Sequence, residues 1–304
     1  MRKRSIMTLL LALSLVIAAC GDGDAGEDST ETTAGGGDTE TTAAAAGTDL
    51  LAAVQEVGSL KVSTDPAYPP QSSLNSEDNT YEGFDIDVAT EIAERLGVEV
   101  AWETPAWDII TAGGWNGRWE MSVGSMTPTN DRQQVLNFTQ PYYYTPAVVV
   151  VHADNTSVAD IGTDLDGTTI GVCSGCTYEQ FLQKTLAIEG FEFDFVIDDA
   201  EITGYDTDTT ALQDLALGDG ARLTAVITSL TTAQGYIDAG NPVKIAGEPV
   251  FYEPLAVAFD KSSQADGTSL FEAVEAIVAE MHADGTLSEL SKKWYNGIDL
   301  TVQQ

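Results

Sequence analysis

Basic residues are scarce in this chain. Its 304 residues include 13 Lys and Arg against 48 Asp and Glu, which gives a formal net charge of −35. Proteins that bind nucleic acid use clusters of Lys and Arg to contact phosphates, so this composition argues against nucleic acid as a partner. Repulsion among so many carboxylates destabilises a compact fold until salt screens it. The composition predicts a strongly solvated surface, and adaptation to high salt is a hypothesis that would account for it.

Histidine and cysteine are also rare. The chain has two histidines, His152 and His282, and three cysteines, Cys20, Cys173 and Cys176. These residues provide neither a nucleophile–histidine–acid set for covalent catalysis nor the two ligand pairs of a structural zinc site. We therefore expect no catalytic residues, no metal and no cofactor.

Long apolar runs are few, and one lies at the N-terminus. Basic residues at positions 2–4 precede an apolar run over residues 6–18, which is short for a membrane span and is typical of a secretion signal. Residues 17–20, Ile-Ala-Ala-Cys, match the lipobox of bacterial lipoproteins. We predict a signal peptide over residues 1–19 and acylation of Cys20, which would anchor the protein to the cell membrane on its extracytoplasmic side. The alternative is a signal peptide that is cleaved near Ala19 without lipid attachment.

Aromatic and basic residues are absent from residues 21–48, which consist of Gly, Thr, Ala, Ser, Asp and Glu. Such a segment cannot bury enough apolar surface to offset the entropy lost on ordering. We predict that residues 20–48 form a flexible acidic linker between the membrane and the folded part of the chain.

A small polar segment follows the apolar run 121–123, which we interpret as a buried strand. Ser125, Thr127 and Arg132 lie in this segment. An arginine offers a planar fork of donors that matches a carboxylate, and neighbouring hydroxyls can supply further donors. The segment is therefore a candidate carboxylate receptor. The alternative is an ordinary loop in which Arg132 pairs with a surface acid such as Asp131.

Several sequence blocks resemble the family 3 solute-binding proteins, the extracytoplasmic receptors of polar amino-acid ABC importers. The most characteristic block is Gly-Phe-Asp-Ile-Asp-Val-Ala at residues 83–89. The other blocks are residues 65–70 (Asp-Pro-Ala-Tyr-Pro-Pro), 107–108 (Trp-Asp), 125–138 and 141–142. The resemblance extends from about Leu60 to Ile298 and so covers most of the chain that follows the predicted linker.

The resemblance implies an α/β fold of the two-lobed, periplasmic-binding-protein-like type II class. Each lobe would be a mainly parallel sheet flanked by helices, with lobe 1 formed by residues 49–150 and 248–304 and lobe 2 by residues 151–247. Two crossing strands would join the lobes, one near Ala147–Val151 and the other near Val243–Val250. We also expect a helix after Gly83, with Asp85 as its N-cap.

The resemblance further implies a receptor that closes on a small carboxylate-bearing solute, with an amino acid as the best candidate, and delivers it to an ABC permease and its ATPase. Arg132 would hold the carboxylate from lobe 1, and residues 175–177 would hold it from lobe 2. The implied ligand-binding residues are Asp65, Tyr68, Trp107, Ser125, Thr127, Arg132, Gly175, Cys176, Thr177 and Ser229.

Position 229 departs from the family pattern. An acidic residue normally follows the strand that we predict over residues 225–228, and it pairs with the ammonium group of the ligand, but this chain has Ser229. A buried ammonium group needs a carboxylate partner. Either another acid supplies the charge, with Asp65 and Glu253 as candidates, or the solute lacks an α-ammonium group.

Cys173 and Cys176 form a C-x-x-C pattern in the loop between a predicted strand and a helix. Outside the cytosol a local disulfide is the simplest expectation. The alternatives are a reactive redox pair, for which thioredoxin-type flanking sequence is missing, and half of a zinc site.

Two further functions share the same fold class. The first is an enzyme similar to the cyclohexadienyl dehydratases, which would need a placed acid or base in the cleft, with Asp65, Asp206 and Glu253 as candidates. The second is a tethered sensor that signals to a partner protein.

Overall fold

The computed structural model describes residues 49–263 and 265–303. The predicted signal peptide, Cys20 and the acidic linker lie outside these residues. Within them, none of the helices combines the length and the apolar character needed to cross a membrane.

The described chain contains nine helices and eleven strands. Its first part comprises α1 (Leu50–Val57), β1 (Ser59–Ser63), β2 (Ala67–Tyr68), β3 (Ser72–Asn75), β4 (Thr80–Glu82), α2 (Phe84–Leu96), β5 (Glu99–Glu103), α3 (Trp107–Thr111), β6 (Met121–Met126), α4 (Arg132–Val135) and β7 (Leu136–His152). The second part comprises β8 (Thr168–Cys173), α5 (Thr177–Leu182), β9 (Ala200–Tyr205), α6 (Asp208–Leu215), β10 (Ala225–Ser229), α7 (Leu230–Asp238), β11 (Val243–Asp260), α8 (Thr268–Ala283) and α9 (Thr286–Trp294).

One eight-stranded sheet runs through both lobes in the order β5-β1-β6-β11-β7-β10-β8-β9. The pairs β5-β1-β6 at one end and β10-β8-β9 at the other are parallel, whereas β7 and β11 pair antiparallel with each other and with their outer neighbours. The strands β2, β3 and β4 form a separate small sheet. This arrangement confirms the predicted two-lobed fold with two long crossing strands.

Each lobe has its own apolar core. Helices α2, α8 and α9 pack on the lobe 1 strands in a cluster that extends to Tyr143 on β7 and to Leu255 on β11. The lobe 2 sheet carries apolar clusters on both faces, and one of these includes Ala147 and Phe251. The chain therefore passes between the cores within residues 143–147 and 251–255. The lobe boundaries at 150 and 248 lie a few residues from these positions and stay predictions.

The crossing segment contains two prolines. Pro146 lies opposite Tyr252, and Pro254 lies opposite Tyr144, in the ladder between β7 and β11. Proline has no backbone N–H to donate, so it weakens a ladder at its own position. The pairing also shifts register on either side of this region.

The start of α2 differs from the sequence prediction. Asp85 is not the N-cap, because the helix begins at Phe84 and Gly83 occupies the capping position without a side-chain hydrogen bond. Gly83 has φ 138°, and a Cβ atom there would overlap the backbone carbonyl of Gln71. This close approach requires glycine. It also directs Asp85, in the first turn, into the interior, where its side chain is fully buried.

Candidate functional site

A cleft lies between the lobes, where several strands of the sheet end and their loops begin. In sheets of this kind the crevice outside the carboxyl ends of the strands is the usual place for a ligand. The loop after β1 contributes Asp65, and β2 contributes Tyr68. β6 and its loop contribute Ser125 and Thr127, and the loop after β8 contributes Cys176. The residues that line the cleft are Asp65, Tyr68, Trp107, Gly124, Ser125, Thr127, Arg132, Cys173, Cys176, Thr177, Tyr178, Asp206, Thr207, Asp208 and Glu253.

Arg132 lies inside this cleft and is only 5% exposed. Its Nη1 donates to the carbonyl oxygen of Thr127 and its Nη2 donates to that of Gly175, each at 3.0 Å. The guanidinium carbon lies 5.0 Å from the centroid of the Trp107 ring. Burial lowers the pKa of Arg132 to about 10, against the opposing effect of Glu253. The side chain therefore stays cationic at neutral pH. Among the described residues it forms no salt bridge with Asp131 or with any other acid.

Glu253 lies at the crossing of β11 between the lobes and is 2% exposed. Its Oε2 accepts hydrogen bonds from Thr127 Oγ1 at 2.5 Å and from Thr177 Oγ1 at 2.7 Å. One carboxylate oxygen thus joins a hydroxyl of lobe 1 to a hydroxyl of lobe 2. Burial raises the pKa of Glu253, and the two hydroxyls oppose that shift.

Ser125 is held by a buried network beneath the cleft. Its Oγ donates to Asp85 Oδ2 at 2.7 Å, and its backbone N–H donates to the Tyr142 hydroxyl at 3.0 Å. The Tyr142 hydroxyl in turn donates to Asp85 Oδ1 at 2.8 Å, and the Tyr143 hydroxyl lies 2.6 Å from Ser125 Oγ. Ser125 has φ 51°, in the left-handed region that non-glycine residues seldom adopt. The network fixes both the hydroxyl and the unusual backbone conformation of Ser125.

Trp107 opens α3 and faces lobe 2. Its Nε1 lies 3.4 Å from the carbonyl oxygen of Gly175, which also accepts from Arg132. Gly175 has φ 72°, a conformation that suits glycine. The Gly175 carbonyl is therefore the lobe 2 acceptor for two side chains of lobe 1.

Ser229 does not line the cleft. It is the N-cap of α7, where its hydroxyl accepts from the backbone N–H of Thr232 at 3.2 Å. The Gln71 Nε2 of lobe 1 donates to this hydroxyl at 3.1 Å and to the Thr231 hydroxyl at 2.8 Å. The side chain at position 229 thus caps a helix and connects the lobes.

Four carboxyl groups, those of Asp65, Asp206, Asp208 and Glu253, line the cleft opposite the single guanidinium. Asp65 Oδ1 accepts a hydrogen bond from the backbone N–H of Ala67 at 2.7 Å, and Glu253 Oε2 accepts hydrogen bonds from two hydroxyls. Asp208 is 6% exposed, and its Oδ1 has no hydrogen-bond partner among the described residues. Asp208 thus has a buried acceptor atom without a partner among the described residues, and it can take a cationic or N–H-bearing group.

Sequence reasoning did not identify Asp208 or Tyr178 as site residues. Asp208 follows Thr207, which caps α6 by accepting from the backbone N–H of Thr210. An acid in the first turn after such a cap is a common way to start a helix, so the local pattern does not mark Asp208 as part of a cleft. The sequence similarly predicts only that Tyr178 is a helix residue. Its hydroxyl nevertheless lies 3.3 Å from that of Tyr68 across the cleft.

Cys173 and Cys176 are joined by a disulfide, with their Cα atoms 5.5 Å apart. Cys173 ends β8 and is buried, whereas Cys176 lies at the start of α5 and is partly exposed. The disulfide therefore forms part of the lobe 2 wall of the cleft.

A larger groove of about 370 Å³ lies beside the crossing strands. It is bounded by Tyr144, Pro146, Phe193, Tyr252 and Leu300, among others. None of the described residues that line it is an arginine or a lysine. It therefore offers a carboxylate no cationic side chain, in contrast to the cleft around Arg132.

Known proteins are similar to this chain in both sequence and fold. L-cystine-binding protein TcyJ of Escherichia coli (strain K12) is 30% identical over 253 residues, which are 83% of this chain and 88% of that protein. Probable amino-acid-binding protein YxeM of Bacillus subtilis (strain 168) is 28% identical over 303 residues, 99% of this chain and 98% of that protein. These relatives are named as binding proteins, not as enzymes.

A solved structure of an ancestral arginine-binding protein bound to arginine is 30% identical and superposes with a TM-score of 0.66, covering 78% of this chain and 98% of that one. The family model for bacterial extracellular solute-binding proteins, family 3, matches residues 60–297. The family's description is that of extracellular proteins that bind solutes. The chain belongs to the bacterial extracellular solute-binding proteins of family 3.

Proposed function

We propose that this protein is the membrane-tethered solute receptor of an ABC importer, that it captures a small carboxylate-bearing solute, most simply an amino acid, between its lobes, and that it delivers the solute to a permease. The observation that carries the proposal is the buried guanidinium of Arg132 in the cleft, held by the carbonyl groups of Thr127 in lobe 1 and Gly175 in lobe 2.

Arg132 is suited to hold the carboxylate of the solute. Its donors already bridge the two lobes, and the Trp107 ring supports one face of its plane. A planar fork can bind both oxygens of a carboxylate. The Thr127 and Thr177 hydroxyls lie on the same side and can turn from Glu253 to a solute carboxylate.

The ammonium group of the solute would bind to a carboxyl other than the one at position 229. Asp65 and Glu253 are the candidates from the sequence, and both already accept hydrogen bonds within the protein. Asp208 faces the same cleft with a free acceptor atom. We therefore propose Asp208 as the main partner of the ammonium group, with Asp65 nearby.

Capture would proceed by closure of the lobes. The contacts Arg132–Gly175, Gln71–Ser229 and Thr209–Ala67 all cross the cleft. A solute that adds contacts to both lobes binds the closed form better and shifts the population toward it. Acylation of Cys20 would keep the receptor at the membrane, close to its permease.

The test is calorimetry and thermal shift with paired probes. Each amino acid is compared with the amine that lacks its carboxylate, for example arginine with agmatine and lysine with cadaverine. We expect binding of one or more amino acids and a loss of binding for the paired amine. Tight binding of an amine whose amino acid does not bind would refute the carboxylate site.

A matched pair of variants tests Arg132 itself. Arg132→Ala removes one member of a desolvated ion pair, which costs about 3–5 kcal/mol, or roughly 10²–10⁴ in affinity. Arg118→Ala is the control, because Arg118 also lies over a tryptophan ring, at 4.7 Å from the centroid of Trp119, but outside the cleft. Near-native affinity of Arg132→Ala would remove Arg132 from the site.

The tether has its own test. Cys20→Ala is expected to move the protein from the detergent phase to the aqueous phase in a partition experiment, and unchanged partitioning would exclude the lipid anchor.

A further inference from the structure

The disulfide in the cleft wall has a buried carboxyl group beside it. The sulfur atoms of Cys173 and Cys176 and a carboxylate oxygen of Asp208 all lie within 4.8 Å of one another. The three side chains come from the end of β8, the following loop and the start of α6, and all three line the cleft.

The two cysteines differ in their access to the cleft. Cys173 is 4% exposed and belongs to the lobe 2 core, whereas Cys176 is partly exposed. After reduction, Cys176 is thus the thiol that a small molecule in the cleft can reach, and Cys173 is the thiol behind it. A reactive pair needs this division into an attacking and a resolving thiol.

Asp208 is placed to exchange a proton with these thiols. Its Oδ1 has no hydrogen-bond partner among the described residues. The titratable groups that face it are Asp65, Tyr68, Tyr178 and Glu253. Burial raises the pKa of Asp208 to about 7, the nearby Thr228 hydroxyl opposes the shift, and the charges of Asp65 and Glu253 add to it. A group with such a pKa is an effective proton acceptor near neutral pH.

The loop itself is held in place without the disulfide. The backbone N–H of Ser174 donates to the carbonyl of Tyr205 at 2.9 Å, and that of Gly175 donates to Glu179 Oε2 at 2.6 Å.

We propose that Cys173, Cys176 and Asp208 form a thiol–disulfide exchange centre in the wall of the solute cleft, with small organic disulfides and dithiols as its reaction partners. This inference does not depend on the carboxylate site around Arg132, although it shares Asp208 with the proposed ammonium site.

The exchange has two steps. The thiolate of reduced Cys176 attacks a disulfide R–S–S–R, a Cys176–S–S–R bond forms, the R–S–S–R bond breaks, and RS⁻ leaves and takes up a proton. The Cys173 thiol then gives its proton to Asp208, and the Cys173 thiolate attacks Cys176 Sγ and expels the second RS⁻. The protein dithiol is oxidised to its disulfide, and R–S–S–R is reduced to two thiols. A small dithiol restores the reduced pair and is itself oxidised to a disulfide.

The experiment uses the full chain with Cys20→Ser, so that Cys173 and Cys176 are its only cysteines. The protein is reduced with a small dithiol, desalted without oxygen and mixed at pH 7 with hydroxyethyl disulfide, a probe that has no carboxylate. We expect two thiols released per protein and a re-formed disulfide, both measured by mass spectrometry. Cys173→Ser should stop at a mixed disulfide on Cys176, and Cys176→Ser should react at least about tenfold more slowly.

The role of Asp208 is tested with Asp208→Asn, which should slow the second step about tenfold or more at pH 7 and flatten its pH dependence. Asp199→Asn is the control, because it removes an exposed carboxyl of the same lobe. Equal rates for the two variants would exclude Asp208 from the centre.

A labelling experiment needs no variant of the pair. Limited alkylation of the reduced protein should modify Cys176 before Cys173. Equal modification, or the absence of a Cys176 adduct in Cys173→Ser, would overturn the proposal. Neither result would bear on the proposed binding of an amino acid, because hydroxyethyl disulfide has no carboxylate for Arg132 to hold.

Discussion

Arg132 of lobe 1 donates a hydrogen bond of 3.0 Å from Nη2 to the carbonyl oxygen of Gly175 in lobe 2. The same guanidinium is held on its own lobe by the Thr127 carbonyl. The residue proposed to bind the solute is therefore also one of the links between the lobes, so solute affinity and closure should be coupled through it.

Arg132→Lys should lower solute affinity by about 10- to 100-fold, less than the loss for Arg132→Ala. Lysine keeps the positive charge, but a single ammonium group cannot contact Thr127, Gly175 and both oxygens of a carboxylate with the geometry of a planar fork. Calorimetry with the amino acid that gives the largest thermal shift measures the loss. Equal affinity of the lysine variant and the native protein would show that charge alone matters at this position.

Asp85→Asn should change how stability depends on pH. Burial raises the pKa of Asp85 from 3.8 to about 7, although the hydroxyls of Ser125 and Tyr142 oppose the shift. Between these two values the folded protein holds a proton that the unfolded chain has released. The contribution of this group to stability is therefore present at low pH and is lost as the pH rises toward 7.

Urea unfolding from pH 4.5 to 7.5 measures this effect. The slope of stability against pH should become less negative in Asp85→Asn than in the native protein. Asp131→Asn, which removes an exposed carboxyl of the same lobe, should retain the native slope. Parallel profiles for Asp85→Asn and the native protein would contradict the assignment.

Gly83→Ala should destabilise the protein by about 2 kcal/mol or more, because a Cβ atom would meet the backbone of Gln71 and because the φ of 138° is unfavourable for alanine. Gly267→Ala is the control: its φ is −84°, and the nearest atom to an added Cβ is a Leu50 methyl at 3.9 Å. Denaturant midpoints compare the two. A Gly83→Ala variant as stable as Gly267→Ala would show that the close approach is not rigid.

Salt should stabilise the native protein. With a formal charge of −35, the folded state gains when repulsion is screened, and at about 1 M salt the screening length falls to about 3 Å. We expect the thermal midpoint to rise steeply from low salt and then to level off. Unfolding temperatures that do not change between low and molar NaCl would refute salt adaptation.

The sequence was sufficient to predict the fold and the cleft residues that follow β1 and β6. The motifs that mark these residues are short runs of neighbouring positions, so they can be recognised from the sequence alone. Asp85 was misplaced because its role depends on a contact with Ser125, forty residues away, and on the approach of Gly83 to Gln71. Asp208 was missed because an acid in the first turn of a helix is common and does not by itself indicate a position in a cleft. The link between Ser229 and Gln71 joins two lobes, and no local pattern encodes it.

The prolines at positions 146 and 254 have a consequence for how the protein moves. Each withholds one backbone donor from a ladder whose register already shifts on either side of this region. Bending is least costly where the fewest hydrogen bonds must stretch. We therefore expect the rotation of one lobe relative to the other to be concentrated in these few residues, while the sheet of each lobe moves as a rigid body. The rate at which such a receptor releases its solute would then depend on the stiffness of the two crossing strands, and not only on the contacts that the solute makes.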